Sequence, residues 1–407
     1  MTKVTFNVTF VIGAVAMYIH RRIEAIVRQA AEGFPAVLVS GPRQSGKTTL
    51  LKTLFPDAAY RSFDDPAVQD FAVADPEGFL LQFGEQAVIL DEIQYVPGLF
   101  SYLKMAIDAN RHTHGKWLLT GSQHFSMMHA VSDSLAGRVA ILNLLPFSYA
   151  EIPADNSSTL KDVLWNGGYP EILLNPAIRD TWLASYIRTY IERDVRQIIN
   201  VKDLGLFQTF LSLCAANHAQ ECNLASISRD CGVAQPTVKR WLAILEASFI
   251  ITLVKPFHAN LGKRLVKSPK LYFTDSALVA WLTRQADKEA LFHGAMGGAF
   301  FEGWIINEIV RVFNNTGKNG EVYFWRSREG LEIDCIIEVN GRRYPLEIKM
   351  TATPTLKHAG ALEKFLKLSG TGSDRGLVVC NCREAKPLTR NVTALPWSAF
   401  MEWLQSI

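Results

Sequence analysis

The chain is poor in cysteine, with six in 407 residues at Cys214, Cys222, Cys231, Cys335, Cys380 and Cys382, and none of them forms a C-x-x-C pair. That excludes a disulfide framework and points to a reducing compartment, the cytoplasm. Cys380-Asn381-Cys382 is the one close pair, read either as metal ligands or, more simply, as two thiols at a strand end. Surplus charge is also scarce: 42 Lys and Arg against 39 Asp and Glu leave a net +3, too little to predict nucleic-acid binding on its own. Long apolar runs are absent except for Val4 to Ile19, which is shorter than the roughly 20 residues a membrane span needs. Only Lys3 precedes that run in the way of charge, and no clear cleavage site follows, so a signal peptide fits poorly. No membrane partner is expected. The chain also lacks internal repeats.

What is present is a composition of globular type, with 48% hydrophobic and 20% charged residues, over a length that predicts two to three domains. The most telling stretch is Gly41-Pro42-Arg43-Gln44-Ser45-Gly46-Lys47-Thr48-Thr49, which fits G-x-x-x-x-G-K-[ST] at every fixed position. Pro35 to Ser40 before it reads as a short buried strand, and Thr48 to Phe55 after it as the start of a helix. Strand, glycine loop and helix together make a phosphate site, because loop N–H groups and a helix N-terminus both favour anions. Lys47 is expected to reach the outer phosphates of ATP, and Thr48 to give its hydroxyl to Mg²⁺.

Val88-Ile89-Leu90-Asp91-Glu92 reads as a buried parallel strand ending in two acids. Asp91 is the second expected Mg²⁺ residue, acting through water, and Glu92 the group that orients or deprotonates the attacking water. Tyr60 to Phe63 is expected as a further strand between these units. Lys116 to Gln123 is a third strand, where Ser122 or Gln123 either senses the terminal phosphate or marks an ordinary strand-to-loop turn. Arg138, after Gly137, is either a finger that neutralises transition-state charge, in its own subunit or in a neighbour of a homo-oligomer, or one half of a surface salt bridge.

Beyond residue 155 the pattern turns helical. Trp182, Leu183, Tyr186, Ile187, Tyr190, Ile191 and Val195 recur at helical spacing over 179–200, with Arg193, Asp194 and Arg196 on a charged face. Leu224 to Ile251 reads as helix-turn-helix: Leu224, Ile227 and Cys231 are buried, Gly232-Val233 turns, and Pro236 starts a second helix carrying Val238, Trp241, Leu242 and Leu245. Gln235, Thr237, Lys239 and Arg240 fall at the front of that helix, where a DNA reader places its contacts. Phe249 to Pro256 is a strand that suggests a wing, and Lys255, Lys263, Arg264, Lys267 and Lys270 form a run of positive charge. Two readings stand side by side here, DNA binding and a protein docking module.

The last segment carries a hairpin. Leu331 to Val339 and Arg342 to Met350 alternate on either side of Asn340-Gly341, the strongest short-range hairpin signal. A two-residue turn sets Asp334 opposite Glu347 and Glu332 opposite Lys349, all on one face, with Leu331, Ile333 and Cys335 against Leu346, Ile348 and Met350 on the other. Opposed carboxylates repel, and a second Mg²⁺ or Mn²⁺ between them would remove that cost. Glu302, on an amphipathic helix with Phe300, Phe301, Trp304, Ile305 and Ile309, is placed to add a third ligand. The alternative is a half-exposed sheet with a Glu332–Lys349 cross-strand pair.

Residues 34–155 resemble the AAA-family ATPases of bacteria and archaea, through SGPRQSGKTTL, SFDDP, VILDEIQ, LLTGSQ, SLAGRV and LPFSYAE. WNGGYPE, TYIERDV, SPKLYFTDSAL, FEGWIINEI and YPLEIKM resemble the domain of unknown function that accompanies that core. Asp334, then Glu347-x-Lys349 on the next strand with a helical Glu302, resembles the PD-(D/E)XK nuclease core, although no proline precedes Asp334. That resemblance implies Asp334 and Glu347 as metal ligands and Lys349 as the group that activates the attacking atom. Family-like sequence begins at Met17, which makes 1–16 an apolar extension from an upstream start. The expected fold is α/β: a P-loop core with a parallel sheet over 17–155, a helical connector over 156–215, a winged helix over 216–285 and a nuclease-like α/β domain over 286–407. Two functions follow as expectations: an ATP-driven enzyme acting on DNA, or a regulatory ATPase whose C-terminal modules bind partners without cleavage.

Overall fold

The structure is a computed structural model that describes residues 18–121, 134–153, 159–191, 204–257, 268–327, 329–369 and 375–407. The 1–16 extension and Met17 lie outside the described residues.

Five strands form the first sheet: β1 (Ala36–Ser40), β2 (Ala59–Ser62), β3 (Val88–Asp91), β4 (Trp117–Gly121) and β5 (Val139–Asn143). They run parallel in the order β2-β3-β4-β1-β5. β1, β3 and β4 are buried at every position, which is why they read as unbroken apolar runs. Alternation sends their side chains to two faces. Val37, Val39, Ile89 and Leu118 meet Val27 and Leu50 of the helices Glu24–Gly33 and Lys47–Leu54. Leu38, Leu90 and Leu119 meet Leu103 and Ile107 of the helix Leu99–Ala109. β1 lies between β4 and β5, so the loop after it opens at the C-terminal edge of the sheet, where ligands of such sheets bind.

The second sheet is mixed and has nine strands: β6 (Gln220–Glu221), β7 (Ile251–Pro256), β8 (Lys270–Phe273), β9 (Gly320–Arg326), β10 (Glu332–Val339), β11 (Arg342–Lys349), β12 (Gly376–Cys380), β13 (Lys386–Pro387) and β14 (Val392–Pro396). Their order is β13-β14-β12-β11-β10-β9-β7-β8-β6. The helix Leu224–Cys231, a turn at Gly232 (φ 69°) and the helix Gln235–Ala247 precede β7. Their apolar residues Ile227, Cys231, Val238, Trp241, Leu242 and Leu245 are buried, while Gln235, Lys239 and Arg240 are exposed and Thr237 is half-buried. β7 also pairs with β9 in parallel, Lys255 with Tyr323 and Pro256 with Phe324. The strands after the helix pair and the C-terminal strands are therefore one sheet. One apolar core draws residues from Leu160 to Leu404 and so joins the segments expected as 156–215, 216–285 and 286–407, with a smaller core beside it around Ile333, Leu362 and Val378.

The helix Arg179–Tyr186 continues as a π-helical turn over Ile187–Ile191, with the Trp182 and Tyr186 rings stacked at 4.8 Å. Val195, Arg193, Asp194 and Arg196 lie outside the described residues, as do Lys263, Arg264 and Lys267. Lys270 does not belong to a basic surface: it is 3% exposed and paired with carboxylates. All six cysteines are free thiols, and the Cys380 and Cys382 sulfurs lie 3.2 Å apart at the end of β12. Among the described residues no helix is long and apolar enough to cross a membrane.

Candidate nucleotide site and acidic cluster

The glycine loop leaves β1 at Gly41 (φ 142°), where a Cβ would sit 2.2 Å from the Leu144 carbonyl oxygen, and only glycine fits. Gln44 (φ 58°) and Gly46 (φ 93°) turn the backbone left-handed just before the helix that begins at Lys47. A Cβ on Gly46 would meet nothing within 4 Å, so the cradle is open there. Lys47 is buried, and its ammonium donates to the carbonyls of Gly41 (3.1 Å) and Pro42 (2.9 Å) across the loop. Burial pulls its pKa down to about 8, against the attraction of Glu92. Ser45 Oγ is buried without a partner, a donor available to a ligand. Arg43 donates to the Tyr95 hydroxyl (3.2 Å), and Thr49 is exposed on the first turn of the helix.

The second acid pair lies beside the loop. Thr48 Oγ1 donates to Asp91 Oδ1 at 2.6 Å, Thr120 Oγ1 to the same oxygen at 2.5 Å, and the Tyr60 hydroxyl to Oδ2 at 3.0 Å. A hydroxyl and a carboxylate held this close at the edge of a phosphate cradle are a donor set suited to Mg²⁺. Glu92, next in the chain, takes the left-handed conformation (φ 57°), and its N–H donates to Thr120 Oγ1 at 3.0 Å. A non-glycine residue held there is strained, as residues at functional sites often are. The Gln94 amide donates to the Glu92 carboxylate.

Two residues that build this site have no single-residue signature in the sequence. Arg21 is 5% exposed, and its guanidinium donates to Ser45 O inside the loop (3.0 Å), Leu145 O (2.7 Å) and Glu151 Oε1 (3.1 Å). Glu151 in turn accepts from the backbone N–H groups of Arg22 and Ser148, both at 2.8 Å. Burial raises the Glu151 pKa, but Arg21 and the Ser148 and Arg22 N–H groups outweigh it and hold the carboxyl below its ordinary value. The motifs around Met17–Arg22 and LPFSYAE each hold one member of this pair, and their meeting in space is what sequence spacing does not reveal. The same segment reaches the C-terminal half, where Tyr149 N–H donates to Glu308 (2.9 Å), itself paired with Arg311 (2.7 Å).

Arg138 lies at the other end of the sheet. Its carbonyl accepts from Ala36 N at the start of β1, about 13 Å of strand away from the loop. Its guanidinium is bound to both oxygens of Asp108, at 2.7 and 2.9 Å. A finger role on its own nucleotide is therefore excluded by position, and the salt bridge is what the structure contains. Ser122 and Gln123 lie outside the described residues.

The hairpin register holds from Val339–Arg342 to Cys335–Leu346 and then stops. It ends where β10 is bulged against β9, between Ile333 and Ile336. The bulge puts Ile333 and Cys335 in different cores rather than on one face. Asp334 accepts from the Ile348 N–H through its side chain at 2.8 Å instead of pairing across the ladder with Glu347. Glu332 does not face Lys349. It pairs with Lys270 from β8 at 2.5 Å. Lys270 also lies 3.1 Å from Glu302 and 3.9 Å from Asp334, and the Tyr272 hydroxyl donates to Glu302 at 2.6 Å. Lys349 bridges Asp334 (2.8 Å) and Glu347 (2.9 Å). Burial and then the Asp334 charge push Glu302 and Glu347 up to about 7. Burial opposes the Lys270 charge, but Glu302, Asp334 and Glu332 outweigh it and raise its pKa. Among the described residues no three His, Cys, Asp or Glu side chains converge as a metal-binding group. Glu302, Asp334 and Glu347 share a neighbourhood, but lysines stand between them.

The parallel sheet, the glycine loop over a helix start, and the Thr48–Asp91 pair define an AAA-type P-loop ATPase. Residues 33–153 match the AAA domain, and 157–289 and 297–400 match two domains of unknown function, DUF8612 and DUF4143. The chain belongs to the family of the uncharacterized proteins Mb2031c of Mycobacterium bovis and Rv2008c of Mycobacterium tuberculosis. Each is 32% identical to it over 349 residues, covering 84% of this chain and 77% of the relative. Among solved structures it is similar to the Walker-type ATPase PABY2304 of Pyrococcus abyssi, at 15% identity over 64% of this chain and 94% of that one (TM-score 0.43). It is also similar to AMPPCP-bound DnaA from Aquifex aeolicus, at 16% identity over 54% of this chain and 86% of that one (TM-score 0.28).

Proposed function

We propose that the chain hydrolyses ATP with Mg²⁺ and couples this to DNA binding through the helix pair 224–247. The observation that carries the first part is Thr48 and Thr120 bonded to one oxygen of Asp91 beneath an open glycine cradle. Lys47 would exchange the Gly41 and Pro42 carbonyls for the outer phosphates. Thr48 and Asp91 would hold Mg²⁺, which would neutralise phosphate charge when bound. Glu92 would align the attacking water and take its proton.

Arg138 would act only across a subunit boundary, on the nucleotide of a second copy in a homo-oligomer, and would have to leave Asp108 to do so. Mixing Arg138→Ala chains with Lys47→Ala chains is then expected to restore part of the hydrolysis that each lacks alone. Hydrolysis by Arg138→Ala at the wild-type rate, independent of protein concentration, removes the finger role.

The DNA part rests on Gln235, Lys239 and Arg240, exposed at the start of the second helix. The joint change Lys239→Ala, Arg240→Ala is expected to weaken duplex binding across all sequences and to lower the salt slope by about 2, read by fluorescence anisotropy. No binding of wild type to duplex or single-stranded DNA at low salt, with or without ATP, rejects it. The second reading, in which the C-terminal sheet binds a partner without cleaving nucleic acid, is favoured by the lysines already seated among its carboxylates. Metal-dependent cleavage at Asp334, Glu347 and Lys349, with Glu302, rests on the nuclease resemblance alone.

A further inference from the structure

The acidic cluster contains four carboxylates, Glu302, Glu332, Asp334 and Glu347, and two ammonium groups. Lys349 belongs to the hairpin itself. Lys270 does not: it comes from β8, three places away from β10 in the sheet order. Its side chain is 4% exposed and its ammonium touches carboxylates from the helix Gly297–Thr316 and from β10. An ammonium taken this far from water persists only where its partners offset a desolvation penalty of several kcal/mol, and three acids within 4 Å do so here.

A divalent ion would need the same oxygens. Mg²⁺ requires ligands at about 2.0–2.1 Å in near-octahedral array, and an ammonium already in contact with two of the carboxylates is a like charge in the way. Lys349 occupies Asp334 Oδ2 and Glu347 Oε1, Tyr272 and Lys270 occupy Glu302 Oε1, and Lys270 occupies Glu332. Glu347 Oε2 is buried without a partner, and a metal there would sit beside the Lys349 ammonium, 2.9 Å from Oε1 of the same carboxylate.

We propose that Lys270 is a resident cation of this cluster, taking up the Glu302 and Asp334 carboxylates that the nuclease resemblance gives to a divalent metal while Lys349 takes up Glu347, and that it closes the wild-type site to such ions. The inference is independent of the ATPase reading, because the two sites use no residue in common. Lysine at 270 thus adds a tie of charge between β8, β10 and the helix carrying Glu302 to the apolar core they share.

Mn²⁺ binding to the full chain without nucleotide, followed by electron paramagnetic resonance, tests it. Any Mn²⁺ held at Thr48 and Asp91 survives Asp334→Asn, so only ion lost in that variant counts for the cluster. Wild type and Lys270→Arg are expected to show none. Lys270→Met, which keeps an unbranched side chain one atom shorter and removes the charge, is expected to gain one equivalent that Asp334→Asn abolishes. Its melting temperature should fall below wild type without metal and recover with Mn²⁺, a recovery that Asp334→Asn abolishes. An equivalent of Mn²⁺ on wild type that Asp334→Asn removes overturns the proposal, and that measurement stands even if Lys270→Met does not fold. A folded Lys270→Met that binds none overturns it as well.

Discussion

Glu92→Gln should bind ATP as wild type does and turn it over roughly 10²- to 10⁴-fold more slowly, the range lost with a general base. The substitution keeps the side-chain length and removes only the charge and basicity. The phosphate cradle keeps its other holds in the variant: Arg21 and Lys47 hold the loop, and Thr48 and Asp91 stay paired beside it. The backbone strain at Glu92 is unchanged, since glutamine has the same preferences there. Phosphate release gives the rate and calorimetry the affinity. Equal turnover in the variant removes Glu92 from the mechanism.

Lys47→Ala should reduce ATP binding below detection by calorimetry, because Lys47 is the loop cation that spans it and is freed by exchanging two backbone carbonyls. Its charge also predicts a pH dependence. In the free protein burial has lowered the Lys47 pKa to about 8. Bound phosphates favour the ammonium and raise that value, so binding takes up a proton above pH 8. Affinity is therefore complete below pH 8 and falls above it, by about tenfold at pH 9. A flat affinity from pH 7 to 9 would show that Lys47 is not the group contacting phosphate.

The nucleotide site was legible because its signal is local. Gly41 to Thr48 must satisfy a fixed backbone path, and Val88 to Leu90 must be apolar on both faces, so pattern and structure coincide. The acidic cluster was half legible. The Asn340-Gly341 turn sets the register to Cys335, but the bulge beyond it is decided by pairing with a third strand, β9, which no local turn signal records. Lys270 was misplaced for the same reason. On the page it follows other basic residues, and only the arrival of Glu302 and Glu332 from elsewhere buries its charge. Arg138 differs again: the motif is visible, but which end of the sheet it occupies follows from the parallel order of β1 and β5.

The pairing of β7 with β9 bears on how the chain is made. Sixty-four positions separate Pro256 from Gly320, the start of β9. At roughly 5 to 20 residues per second of synthesis, one edge of β7 waits about 3 to 13 seconds for the strand that covers it. During that interval the nascent chain carries an open strand edge, the kind that invites pairing with another chain. The helix pair before β7 can close early, whereas the sheet that it leads into is completed only after β9 has left the ribosome, which makes this edge the point at which a folding helper would be most needed.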